Sequence, residues 1–80
     1  MEALLKLALR HGKCLLRDLR MSRGMKQEDL SDGLNALGLI VSTKTISKYE
    51  NDHQIIPPLT MRGICLVLNC LESEVYEWPK

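Results

Sequence analysis

Gly24, Gly38 and the Pro57-Pro58 pair cut this chain into stretches too short to be stable helices on their own. Within each stretch the apolar residues return at helical spacing. Leu16 and Leu19 precede the first break. Leu30, Gly33, Leu34 and Leu37 follow at i, i+3, i+4 and i+7, and Met61, Ile64, Cys65 and Leu68 repeat that pattern after the prolines. Segments of this kind persist only by packing on one another. With 80 residues, near the lower end of what folds unaided, they have one small core to share. The expected architecture is all-α, a compact five-helix bundle.

In chain order, helical spacing covers 3–23, with Leu5 and Leu9 in its first half and Gly12 dividing a short N-terminal helix from a main one beginning near Lys13. Gly24 stands where a left-handed C-terminal cap is expected. The second helix covers 27–37, with Glu28 and Asp29 complementing the dipole of its first turn and Gly38 closing it. Gly33 inside it costs on the order of 1 kcal/mol against alanine, which implies another helix lying close over that bare backbone. Ser42 is the N-cap of a third helix ending around 51–52, Pro58 begins a fourth, and 72–78 form a last one with Val75 inward. Residues 1–12 then read as an N-terminal helical extension and 13–80 as the domain.

The segment 42–51 carries the chemistry. At about 100° per residue, Ile46 and Tyr49 fall on one side. Lys44, Lys48 and Asn51 fall on the other, flanked by Thr45 and Ser47. Two large apolar residues make a thin anchor, so this helix must be braced by its neighbours. Its free side is a row of amines, hydroxyls and an amide, the groups that bond base edges and phosphates in a DNA groove. A formal charge of +1 hides an uneven distribution: residues 1–48 hold nine Lys/Arg against five Asp/Glu, and residues 49–80 two against five. One basic face suffices to attract phosphate.

Three cysteines, Cys14, Cys65 and Cys70, lack the density of a disulfide scaffold, and Cys65 lies on the apolar stripe. The opening residues are too short and too charged for a signal peptide or a membrane span. A reducing cytoplasm fits best. No glycine-rich phosphate loop or nucleophile–base motif points to an enzyme, and no cofactor is implied. His11-x-x-Cys14 with His53, Cys65 and Cys70 follows no recognised zinc pattern, so no metal site is expected.

Leu16-x-x-Leu19-Arg20, then Gly24-x-Lys26-Gln27-Glu28-x-Leu30, then Ser42-x-x-Thr45-Ile46-Ser47-Lys48-Tyr49-Glu50-Asn51, then Pro58 and the Met61–Leu68 stripe, resemble the Cro/phage-repressor type of helix-turn-helix regulator, the Xre family, over about 13–78. The resemblance implies double-stranded DNA as partner, a palindromic operator and a homodimer. It implies that Thr43, Lys44 and Lys48 read bases, with Ser47 beside them. It implies phosphate contacts from Gln27, Ser42 and Asn51, to which Lys26 adds a neighbouring charge. Arg20 and Glu50 match a pair tying the first helix to the third. Each borders its helix's apolar strip by about 40°, which independently predicts an ion pair at the core's edge.

Two features depart from the family. Lys26 replaces the usual Ser or Thr N-cap of the second helix, forgoing about 1 kcal/mol of capping. The run from Leu30 to Ile46 is about five residues longer than in compact phage repressors, which predicts an extended second helix and a longer turn that either tilts the recognition helix or pushes Ile40 and Val41 outward. Leu66, Leu71 and Trp78 exceed what the core needs and are the expected dimer surface. The alternative function is an antitoxin or other protein-interaction module on the same fold.

Overall fold

The computed structural model describes residues 12–77. Five helices follow in order: α1 (Leu16–Ser22), α2 (Gln27–Ala36), α3 (Thr43–Glu50), α4 (Pro58–Leu68) and α5 (Glu72–Val75). The predicted 1–11 part of the N-terminal extension lies outside the described residues. Leu16, Leu30, Leu34, Ile46, Ile64, Leu68 and Val75 are fully buried, so every helix gives at least one side chain to a common core.

The helix ends follow local chemistry. Gly24 (φ +66°) and Gly38 (φ +87°) take left-handed conformations after α1 and α2, where a Cβ would be strained. Ser42 caps α3, its Oγ accepting the Thr45 N–H at 3.2 Å. Pro58 opens α4 at a position whose N–H needs no helical partner. The α4 terminus has no basic residue of its own; instead the Arg23 Nε, from the α1 end, donates to the Leu68 carbonyl at 2.8 Å. The close helix approach expected at Gly33 is present: a Cβ there would lie 2.9 Å from Val67 Cγ1 of α4.

Four expectations are corrected. The first helix begins at Leu16 rather than near Lys13, because the backbone of residues 12–15 is bonded to that of 75–77 around an antiparallel bridge between Cys14 and Tyr76. Leu15 N–H donates to the Val75 carbonyl, Glu77 N–H to the Lys13 carbonyl at 2.9 Å, and Gly12 N–H to the Glu77 carbonyl. For the same reason α5 stops at Val75 instead of reaching Trp78: Tyr76 is extended (φ −124°, ψ 151°) to bridge Cys14. Leu37, placed in the core by periodicity, is half exposed because α2 ends at Ala36 and Gly38 turns the chain. Val41 is buried while only Ile40 turns outward. The Val41 carbonyl accepts from Ser31 Oγ at 2.6 Å and its N–H donates to Asn35 Oδ1 at 3.3 Å, which draws it against α2.

Among the described residues no helix is long and apolar enough to cross a membrane.

Candidate nucleic-acid interface

The inner face of α3 is Ile46, Tyr49 and Glu50, all buried. Helical geometry then turns Lys44 and Lys48 away from the bundle, and both are exposed. Thr43 and Ser47 beside them are partly exposed. Among the described residues both ion pairs end on Glu50, leaving Lys44 and Lys48 without a carboxylate to neutralise them. This is a positively charged outer face on a braced helix.

The bracing centres on Glu50, whose side chain has no accessible surface. Arg20 of α1 donates from Nε to Oε2 at 2.7 Å and from NH2 to Oε1 at 3.3 Å, while its NH1 holds the Met25 carbonyl at 2.8 Å. Gln27, the first residue of α2, donates Nε2–H to Oε1 at 3.1 Å. Arg17 adds Nε to Oε1 at 3.4 Å. Three helices thus meet at one carboxylate. Burial alone would raise its carboxyl pKa, but the bonds from Arg20, Gln27 and Arg17 together hold it below the ordinary value.

The ion pair expected between Arg20 and Glu50 is therefore present, at the edge of the core and with Arg20 only 11% exposed. Arg17 was missed. It lies one turn before Arg20 on the same face of α1, and that i, i−3 relation was the available signal.

The phosphate-contact candidates are differently disposed. Lys26 and Ser42 are exposed at the N-termini of α2 and α3, where the orphan amides favour anions. Lys26 offers no acceptor to the α2 amides. Only the reciprocal half of a capping box forms, the Lys26 N–H donating to Asp29 Oδ2 at 2.8 Å. Gln27 spends one amide hydrogen on Glu50 and keeps a second. Asn51, at the C-terminal cap of α3, uses both ends of its carboxamide within the protein. Its Oδ1 accepts from Arg17 NH2 at 3.1 Å, and its Nδ2 donates to the Ser47 carbonyl at 2.8 Å and Ser47 Oγ at 3.3 Å.

Elsewhere, Leu66 and Leu71 of the expected dimer surface are exposed, each at 67%, and Trp78 lies outside the described residues. Leu66 joins Leu37, Leu39, Leu59, Arg62 and Gly63 around an apolar groove of about 330 Å³. Cys65 and Cys70 face one another beyond it. Burial, reinforced by Cys70, pushes the Cys65 thiol up to about 11, and Cys14 is raised by its own burial.

A family model described as helix-turn-helix matches residues 16–75. No curated protein and no solved structure matches the chain.

Proposed function

The chain belongs to the helix-turn-helix family, of the Cro/phage-repressor type, whose domains bind DNA and are typical of transcription regulators. From that premise we propose that it is a sequence-specific repressor that binds a palindromic operator as a homodimer, with α3 in the major groove. The observation carrying the proposal is the outer face of α3: Lys44 and Lys48 exposed and without a carboxylate partner, on a helix whose opposite face is locked by Ile46, Tyr49 and Glu50.

In this reading the N-terminal half of α3 meets the bases. Lys44 and Lys48 donate to guanine O6 and N7, Thr43 offers its methyl to thymine or its hydroxyl to either base type, and Ser47 reads beside them. Lys26, Gln27 and Ser42 hold the backbone at the α2 and α3 N-termini. Asn51 contributes at the far end of α3, next to the half-exposed Arg17. One such helix reads few base pairs, so two copies on half-sites about 10 bp apart supply the remaining specificity. The exposed Leu66 and Leu71 support that pairing.

Selection from a random duplex pool at two salt concentrations, followed by affinity measurement, tests the assignment. Lys44→Ala should lose on the order of 1–3 kcal/mol and relax preference at one base pair. Lys26→Ala should weaken binding to every sequence alike. Identical losses on selected and random duplexes for both variants would remove the base-reading role from Lys44. The same exposed leucines also suit the second reading, an antitoxin-type module, which requires a stable protein complex formed without DNA.

A further inference from the structure

Two of the three cysteines meet at the C-terminal cap of α4. Asn69 takes a left-handed conformation (φ 52°, ψ 57°), and the Cys70 N–H reaches back to the Cys65 carbonyl at 3.0 Å. This is the Schellman cap, which sets the side chain just past the left-handed residue against one in the helix's last turn. Here both side chains are thiols. The Cys65 S–H donates to the Cys70 sulfur, so the two sulfurs are already in contact. The cap is also held from α1: Arg23 donates from Nε to the Leu68 carbonyl at 2.8 Å and from NH2 to the Asn69 carbonyl at 3.5 Å. Cys65 and Cys70 are partly exposed, whereas Cys14 is buried.

A disulfide forms readily only where the backbone already holds two cysteines side by side. Contact between the sulfurs and a direct main-chain bond between the two residues supply that proximity in the reduced chain. We propose that Cys65 and Cys70 are a redox modification site, at which hydrogen peroxide closes a reversible disulfide across the end of α4. The Cys70 thiolate attacks one peroxide oxygen and the O–O bond breaks. A sulfenic acid forms, and the departing hydroxide takes up the proton that Cys70 released. Cys65 then attacks the sulfenic sulfur and the S–O bond breaks. The second oxygen leaves as water with the Cys65 proton. Two thiols give up two electrons and two protons, and one peroxide becomes two waters.

The surroundings give the order of attack and the kind of oxidant. Burial raises both thiols, so the reaction is slow at neutrality and quickens with pH. For Cys65 the neighbouring Cys70 and the carboxylates of Glu72 and Glu74 add to that rise. For Cys70 the bond from Cys65 and the Arg23 guanidinium oppose it, with Glu74 alone adding to it. Cys70 is therefore the first to ionise. Once it is oxidised, its charge no longer holds Cys65 protonated, and Cys65 is released to close the bond. Two carboxylates beside the sulfurs repel an anionic oxidant such as glutathione disulfide, while peroxide is small and uncharged.

Hydrogen peroxide is added to the full chain at pH 7 and pH 8, with free thiols counted, tryptic peptides weighed and thermal unfolding run in parallel. The wild type should keep only Cys14 as a free thiol, and its 63–80 peptide should become lighter by two hydrogens until dithiothreitol restores it. The rate should rise about tenfold from pH 7 to pH 8, since the thiolate is the nucleophile. Cys65→Ser should stop at a Cys70 sulfenic acid that a cyclic dione traps, and Cys70→Ser should leave Cys65 unmodified. The oxidised wild type should unfold several degrees above the reduced chain, because the cross-link restrains the unfolded state while the cap keeps its shape. Thiols that survive excess peroxide, a bond to Cys14 or a bond between two chains overturns the site. Oxidation of Cys65 in the Cys70→Ser chain at the wild-type rate overturns the order of attack. An oxidised chain that unfolds at a lower temperature overturns the claim that the cap already holds the thiols in place.

Discussion

Glu50 has no accessible side-chain surface and still keeps its charge, because donors from two helices beside its own close around it. A buried carboxylate is costly unless every lone pair is met, and here removal of the main partner is the severe perturbation rather than replacement of the whole cluster. Arg20→Ala should therefore cost about 3–5 kcal/mol. Arg17→Ala, on a half-exposed partner screened by water, should cost about 1 kcal/mol or less. Urea unfolding of both variants checks the ranking, and equal losses would mean that Arg17 shares the burden. The pH dependence follows from the same geometry. The folded carboxyl titrates below its unfolded value, so its contribution is fully present above that unfolded value, near 4.5, and is lost as pH falls through the folded one. Wild-type stability should fall more steeply below about pH 4.5 than that of Glu50→Gln, which is the less stable chain at neutrality.

Among the elements, the crossing of α2 over α4 is set by two glycines and what they face. An added Cβ at Gly33 would meet Val67 Cγ1 at 2.9 Å and Cγ2 at 3.1 Å, and one at Gly63 would meet Leu39 Cδ1 at 2.5 Å and Leu34 Cδ2 at 3.0 Å. Alanine at Gly33 gains about 1 kcal/mol of helix propensity. Against that, a stiff β-branched neighbour makes overpacking cost about 1–3 kcal/mol. The clash is the larger, so Gly33→Ala should destabilise the wild type. In a Val67→Ala background the methyls are gone and the same substitution should stabilise, a reversal of sign that a thermal-unfolding cycle reads directly. Failure to reverse would place the cost elsewhere. Gly33 also shows what kind of element information the sequence holds. A glycine inside an apolar repeat, Ser42 before one and Pro58 at the head of another each have a local physical meaning, and each was legible. Leu37 and Val41 were not. Their burial depends on how the chain turns at Gly38 and on the Ser31 and Asn35 side chains that draw Val41 inward, neither of which periodicity records.

At the scale of the whole molecule, the feature least legible in the sequence is the closure of the two ends. Residues 12–15 and 75–77 are too few to show strand alternation, and the repeats around them read as helix on both sides. The outer face of α3 was legible because it needs only helical geometry and residue type. The Arg17 link was half legible: its spacing from Arg20 put it on the right face of α1, but its bond to Asn51 requires knowing where α1 passes the end of α3. The closure has a further anchor: the Ile56 N–H donates to the Tyr76 hydroxyl at 3.2 Å in the buried interior, tying the last described turn of chain to the loop between α3 and α4. Asp52 in that loop, held in a left-handed conformation at φ +58°, receives the Cys14 N–H at 3.2 Å. Tyr76→Phe keeps the ring and deletes the hydroxyl that accepts the Ile56 N–H. The Ile56 amide is then buried without a partner, which costs about 1–3 kcal/mol, far more than the net worth of a surface hydrogen bond. Chemical denaturation should show that loss, and amide exchange should quicken at Ile56 and at the 12–15 amides together if the ends and the loop open as one unit. Exchange that quickens at Ile56 alone would mean that the backbone bridge of Cys14 and Tyr76 closes the domain without help from the loop.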